Sequence, residues 1–307
     1  MQLKFIIVAL LLPFFTVCSS LRLLALVRYN GSAFRGVQRN FAADGSELRT
    51  IIGTFAESVS AEVEAAKNFR AASRTDAGVS AIGQAITFDI PEGTNRLTSS
   101  EAVNALLPSD LQVTSLEVVA EDFNVVKCRW KRYRYLLREE AQEKGAAEVE
   151  GEDASMMRKC ISHALRGKRK EEEATDDGKR SRRKRVKSFP GLDLEAMRIS
   201  ASLVEGKHDF ARFQAKGGDQ KGSVRTIYRC EIEETGGGGV LLLIEGDGFL
   251  YKMVRILAGS ILSVGMGLRE AVDIKRALDD DIDGEGGTVA VGPTLPPERL
   301  VLEHIEY

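Results

Sequence analysis

The 307-residue chain has only four cysteines and three histidines, and neither set is clustered. Cys18, Cys128, Cys160 and Cys230 form no Cys-x-x-Cys pair, and His163, His208 and His304 form no His-x-x-x-His pair. A structural zinc or a disulfide framework is therefore not expected, and the thiols read as reduced and mostly buried. No motif supplies the paired carboxylates with which polymerases and nucleases hold two metal ions. Long apolar runs are also missing. Phe5 to Val17 is shorter than the ~18 residues of a membrane span, and Ile256 to Gly265 is short and broken by glycine. Nor is there an excess of one charge. With 43 Lys and Arg against 45 Asp and Glu, the formal net charge is −2, so nucleic-acid affinity would have to come from local patches. What remains is a soluble globular composition, 43% hydrophobic and 29% charged, long enough to bury one large core or two modest ones.

The most informative stretch is Ser73 to Asp89. Asp76, flanked by Arg74, Thr75 and small residues, leads through Gly78 and Gly83 into Ala85-Ile86-Thr87-Phe88-Asp89, which reads as a half-buried strand. The acid thus sits on a tight loop beside a sheet. The glycines permit positive φ or close backbone approach, and Arg74 can pair with Asp76 or with a phosphate. Such a loop suits a positioned, ionised carboxylate acting as a nucleophile. By composition alone a turn with a surface ion pair is the better fit.

In chain order, Leu21 to Tyr29 reads as a strand ending in the turn Asn30-Gly31-Ser32, and Phe34 to Arg39 adds Arg35, Gln38 and Arg39 beside a glycine. Leu48 to Ala66 and Ser99 to Leu106 read as helices, and Leu111 to Ala120 as a strand. This interleaving predicts an α+β fold with helices covering a sheet face. Lys127 to Leu137 alternates aromatic or apolar residues with cations. A strand there puts Trp130, Arg132 and Arg134 on one face and Lys131, Tyr133 and Tyr135 on the other. Aromatics interleaved with cations stack bases and hold phosphates, although an edge strand with snorkelling cations has the same pattern. Residues 139–188 form a charge-rich, low-complexity insertion with a short helical pattern at Ala154 to Leu165 and a basic cluster at 179–185. Leu192 to Val204 reads as a helix, Ser223 to Glu233 and Val240 to Glu245 as strands. Gly248 to Arg255 then leads into an apolar helix, with Lys252 and Arg255 one turn apart near its start.

Arg74-Thr75-Asp76-Ala77-Gly78-Val79, continued by Ala81-Ile82-Gly83-Gln84 and the strand, closely resembles the signature loop of the tRNA pseudouridine synthase A (TruA) family. Four further blocks follow the family's order: Phe34 to Arg39, Lys131 to Tyr135, Gly206 to Gln214 with Gly248 to Arg255, and Thr288 to Leu302. The resemblance spans roughly Leu21 to Leu137 and Phe189 to Tyr307. It implies two α+β domains, 21–138 and 189–307, each with an antiparallel sheet and helices on one side, meeting at a basic cleft. It implies that Asp76 is the essential carboxylate and that Tyr133, Arg255 and Arg74 complete the catalytic set. Arg35, Gln38, Arg39, Arg132, Arg134 and Lys252 would be RNA contacts. The implied partners are tRNA, with the anticodon stem-loop as target region, and a second copy in a homodimer, with no cofactor or metal required. Asn30, Val37, Ser80 and Asn124-Val125-Val126 depart from the family pattern, which leaves a catalytically silent tRNA-binding or chaperone-like protein of the same fold as the competing reading.

Residues 1–20 have Lys4, a short apolar run and small residues at Cys18-Ser19-Ser20, the layout of a secretory-type signal; a buried first strand is the alternative. Secretion fits poorly with an RNA-modifying enzyme, so an organelle such as a plastid is one destination, while the basic cluster at 179–185 leaves a nuclear address open.

Overall fold

A computed structural model describes residues 20–97, 99–138, 191–218, 222–279 and 291–307. The signal-like run before Ser20, the charged insertion and its helical pattern at 154–165 lie outside these residues.

The described residues build one large, mostly antiparallel sheet with a few helices. Its strands are β1 Ser20–Tyr29, β2 Lys67–Ala71, β3 Ser80–Pro91, β4 Leu111–Val119, β5 Trp130–Arg138, β6 Gly206–Asp209, β7 Val224–Glu234, β8 Val240–Gly246 and β9 Leu300–Glu306. The spatial order is β4-β1-β3-β9-β5-β8-β7-β6, with β2 paired to β3. The helices are α1 Ile51–Glu62, α2 Ser100–Asn104, α3 Leu194–Ser202, α4 Met253–Gly265 and α5 Ala271–Asp279.

One junction matters most for the site. The last strand, β9, sits between β3 of the first half and β5, pairing in parallel with β3 at Ser80↔Val301 and Ala81↔Leu302 and antiparallel with β5. The two expected sheets are thereby joined edge to edge into one. Where the signature loop enters β3, the chain is locked to the C-terminal strand.

Local chemistry explains the element boundaries. Thr50 caps α1 by accepting from the Gly53 N–H, Ser99 caps α2 at Ala102, and Asp193 caps α3 at Ala196. These caps set the starts of the helices expected at 48–66, 99–106 and 192–204, which end at Glu62, Asn104 and Ser202. On β3 the side chains of Ile86, Phe88 and Ile90 are all buried, and Phe88 meets Phe55 of α1 and Phe69 of β2. Helix α4 is buried along its whole length, which accounts for a sequence apolar on every side. β2, β6 and α5 are not among the elements expected from the sequence: the two strands are short and polar, and α5, although amphipathic with Ile274, Ala277 and Leu278 buried, spans only nine residues.

Candidate active site

The loop from Ala72 to Val79 is fastened from four directions. Ala72 continues the pairing with β3 through its N–H to the Ala85 carbonyl at 2.9 Å. Gln84, fully buried on β3, clasps Ser73 twice: its Oε1 accepts from the Ser73 N–H at 3.1 Å and its Nε2 donates to the Ser73 carbonyl at 2.8 Å. The Thr75 carbonyl accepts from the Val37 N–H at 3.2 Å, which lays the Phe34 to Arg39 segment against the loop. Val79 closes a turn by donating to the Asp76 carbonyl at 3.2 Å. Gly78 takes φ +85°, which a side chain would strain, and a Cβ at Gly83 would collide with the Glu303 carbonyl of β9. Both glycines serve as the sequence led one to expect.

Asp76 and Arg255, 179 residues apart, meet here. Arg255 Nη1 donates to Asp76 Oδ2 at 2.7 Å, and Arg255 Nε donates to the Leu295 carbonyl at 2.7 Å. The arginine side chain is 11% exposed and that of Asp76 20%, so the pair is mostly covered while the carboxylate keeps some access to solvent. Anchoring through Nε fixes the plane of the guanidinium, and a fixed donor holds the carboxylate in one orientation.

Tyr133 is buried on β5, its hydroxyl 2.8 Å from Ser73 Oγ and its ring edge-on to Phe249 at 5.2 Å between centroids. Burial is the main reason its hydroxyl is pushed far above the usual phenol range; the Ser73 hydrogen bond opposes this, while the nearby charge of Asp76 adds to it. Tyr29 is pushed up to about 12, again chiefly by burial, against its bonds to Thr75 and Gln84. At neutral pH both are therefore uncharged phenols inside a hydrogen-bonded floor.

The remaining sequence candidates divide. Arg35, Gln38 and Arg39 are exposed on the segment that backs the loop, Arg39 also pairing with Glu47 at 3.3 Å. Arg74 is exposed on the loop itself. Lys252 takes φ +59° just before α4, one turn from Arg255, with its ammonium 4.8 Å from the Tyr251 ring centre. Arg132 and Arg134 instead occupy the sheet face opposite Tyr133, where they pair with Glu245 at 2.7 Å and Glu303 at 2.5 Å. Arg132 also stacks over Trp130. Their period-two alternation is as expected, and it separates them from the Asp76 floor.

Several site residues were not singled out from sequence: Tyr29, Ser73, Gln84, Phe249 and the Leu295 carbonyl. One signal was available for Gln84, an amide in a run of β-branched and apolar strand residues, where a buried polar group requires partners.

Comparison with known proteins bears on the chain as a whole. A family model described as tRNA pseudouridine synthase matches residues 201–307. A tRNA pseudouridine synthase A of Myxococcus xanthus is 32% identical over 287 residues, 93% of this chain and 92% of that one. One from Thermosipho africanus is 33% identical over 284 residues, covering 91% and 96%, and one from Oceanobacillus iheyensis is 30% identical over 291 residues, covering 93% and 96%. A solved Cbf5-Nop10-Gar1 complex overlaps only loosely, at a TM-score of 0.28 and 12% identity over 78% of this chain and 54% of that one. With identity of this order over more than nine tenths of both chains, the chain belongs to the tRNA pseudouridine synthase A family.

Proposed function

We propose that the chain isomerises uridine to pseudouridine in tRNA, at the anticodon stem-loop and as a homodimer, with Asp76 as the essential carboxylate. The observation that carries this reading is the Asp76–Arg255 pair, a carboxylate fixed at 2.7 Å on a buried arginine, with the charge of Asp76 felt by the neutral Tyr133. In the reaction the C1′–N1 bond of uridine breaks, the freed base rotates, and a C1′–C5 bond forms; C5 gives up a proton and N1 gains one. Nothing is oxidised or lost, so side chains suffice. Asp76 would act by attack on C6 of the base, by attack on C1′ of the sugar, or by assisting a glycal route. Tyr133 would lie under the base and take part in proton movement at C5, Arg255 would orient the carboxylate, and Arg74 would complete the set at the loop.

The target base must leave its stack at a cost of a few kcal/mol, which stacking and phosphate contacts have to offset. Arg35, Gln38, Arg39 and Lys252 flank the loop and suit that role. Arg132 and Arg134, across the sheet, would touch RNA only on its other face. The two lobes, 21–138 and 189–307, would hold the RNA between them.

The test uses the full chain with unmodified tRNA, with the Asp76→Asn chain as the blank, and maps pseudouridine by carbodiimide-dependent reverse-transcription stops. Stops in the anticodon arm made by the parent alone are the expected result; binding without stops by either chain would favour a silent binding protein. Arg255→Lys should also slow turnover by roughly 10²-fold at unchanged tRNA affinity, because an ammonium cannot hold Asp76 and the Leu295 carbonyl together in one plane. Tritium release from tRNA labelled at C5 of uridine measures this directly.

A further inference from the structure

Lys131 stands out among the groups that this mechanism leaves unused. It lies on β5 two residues before Tyr133, on the same face, and its partly buried ammonium donates to the Ala72 carbonyl at 2.9 Å. Among the described residues no carboxylate sits within ion-pair distance of it. Burial outweighs the opposing influence of Cys128 and pulls its pKa below the usual lysine value. A partly buried cation held on a neutral carbonyl without a counter-charge is an unfavourable choice where a neutral donor would serve.

Its location gives that charge a use. The Ala72 carbonyl and the Ser73 N–H belong to one planar peptide unit. Positive charge at the oxygen strengthens the N–H as a donor, and that N–H bonds Gln84 Oε1 at 3.1 Å. The Gln84 amide in turn donates to the Ser73 carbonyl and reaches the Tyr29 hydroxyl at 3.4 Å. Tyr29 is 2.8 Å from Thr75 Oγ1, beside Asp76, and Ser73 Oγ is 2.8 Å from the Tyr133 hydroxyl. One polarised chain therefore runs from Lys131 to the neighbours of both groups assigned to the reaction. Lys131 and Tyr133 also grip consecutive residues, 72 and 73, at the root of the loop.

We propose that Lys131 is a positioning residue for the isomerisation, its ammonium polarising the Ala72–Ser73 peptide and so fixing the loop that aims Asp76 and the hydroxyl that faces Tyr133. The inference rests on the roles given above to Asp76 and Tyr133.

The test compares full-length Lys131→Gln, Lys131→Met and Lys131→Arg with the parent and with Asp76→Asn, measuring single-turnover tritium release, tRNA affinity and urea midpoint. Lys131→Gln and Lys131→Met should lose about 10- to 100-fold in rate at tRNA affinity within about threefold, while Lys131→Arg keeps a third or more of the rate. Adding Lys131→Met to Tyr133→Phe should cost far less than it costs the parent, because the two act through one chain. Glutamine offers a neutral donor to the Ala72 carbonyl, so it decides the matter if the methionine variant does not fold. A parental rate for Lys131→Gln would overturn the proposal, as would a loss confined to tRNA affinity or one that only tracks the folded fraction. Activity retained by Asp76→Asn would instead overturn the underlying reading.

Discussion

Asp76→Asn is expected to lower the single-turnover rate of isomerisation by about 10⁴-fold or more while leaving tRNA affinity within about threefold. The substitution nearly preserves shape. Asparagine still offers an oxygen to Arg255 Nη1, and the loop's other ties, at Ser73, Thr75 and Val79, do not involve the Asp76 side chain. What disappears is the negative charge and the nucleophilic oxygen, and no second carboxylate pairs with Arg255 among the described residues. Arg255 loses its counter-charge, but the Leu295 carbonyl remains and Asp76 is partly open to water, so the stability cost is only about 1–2 kcal/mol. Rate and stability thus separate. Tritium release, tRNA binding and urea unfolding on one preparation check this, and a variant keeping more than about one hundredth of the parental rate would remove Asp76 from the chemistry.

The loop was legible because its chemistry is local. Asp76, its flanking glycines and the strand after it are contiguous, and backbone geometry at Gly78 and Gly83 follows from their lack of a Cβ. The faces of β5 were legible for a similar reason, since period two alone separates Tyr133 from Arg132 and Arg134. The partners of those cations were not, because Glu245 and Glu303 come from β8 and β9, more than 100 residues away. Pairing across such distances depends on strand order, which no local pattern encodes. The same applies to the single sheet: the parallel contact of β9 with β3 covers two residue pairs and leaves no periodic trace. Tyr29, Gln84 and Lys131 carry their roles through hydrogen bonds to backbone and hydroxyl groups, which residue type alone does not announce.

Arg22→Met is expected to destabilise the fold by about 3–4 kcal/mol at neutral pH without changing the rate per folded molecule by more than about twofold. Arg22 forks onto Asp89, Nε to Oδ1 at 2.8 Å and Nη2 to Oδ2 at 3.0 Å, and also donates to the carbonyls of Glu121 and Phe123. Asp89 is 3% exposed, and Asn68 adds a bond to its Oδ2 at 2.6 Å. Without the arginine a buried carboxylate keeps one neutral donor, a large penalty for a charge. Asp89 lies five residues along β3 from Gln84, the nearest site residue on that strand, roughly 17 Å at strand rise, so the site should sense little of the change. The pH dependence gives a second check. The Arg22 hydrogen bond is the first cause holding the Asp89 carboxyl below its ordinary value, against desolvation and with help from Asn68. A depressed folded value means stability that is fully present above the unfolded value near ~3.9 and lost as pH falls through the folded one. In Arg22→Met the largest lowering cause is gone while Asn68 and the charge of Lys67 remain, so the folded value rises and acidification costs the variant less than it costs the parent. Urea unfolding at pH 7.5 and 4.5 should therefore show the gap between parent and variant narrowing at the lower pH. A gap of constant size would mean that packing of the Arg22 stem, rather than the buried charge, carries the effect. Arg22→Met combined with Asp89→Leu removes both partners and should recover much of the lost stability, since a vacated apolar pair costs less than a stranded carboxylate.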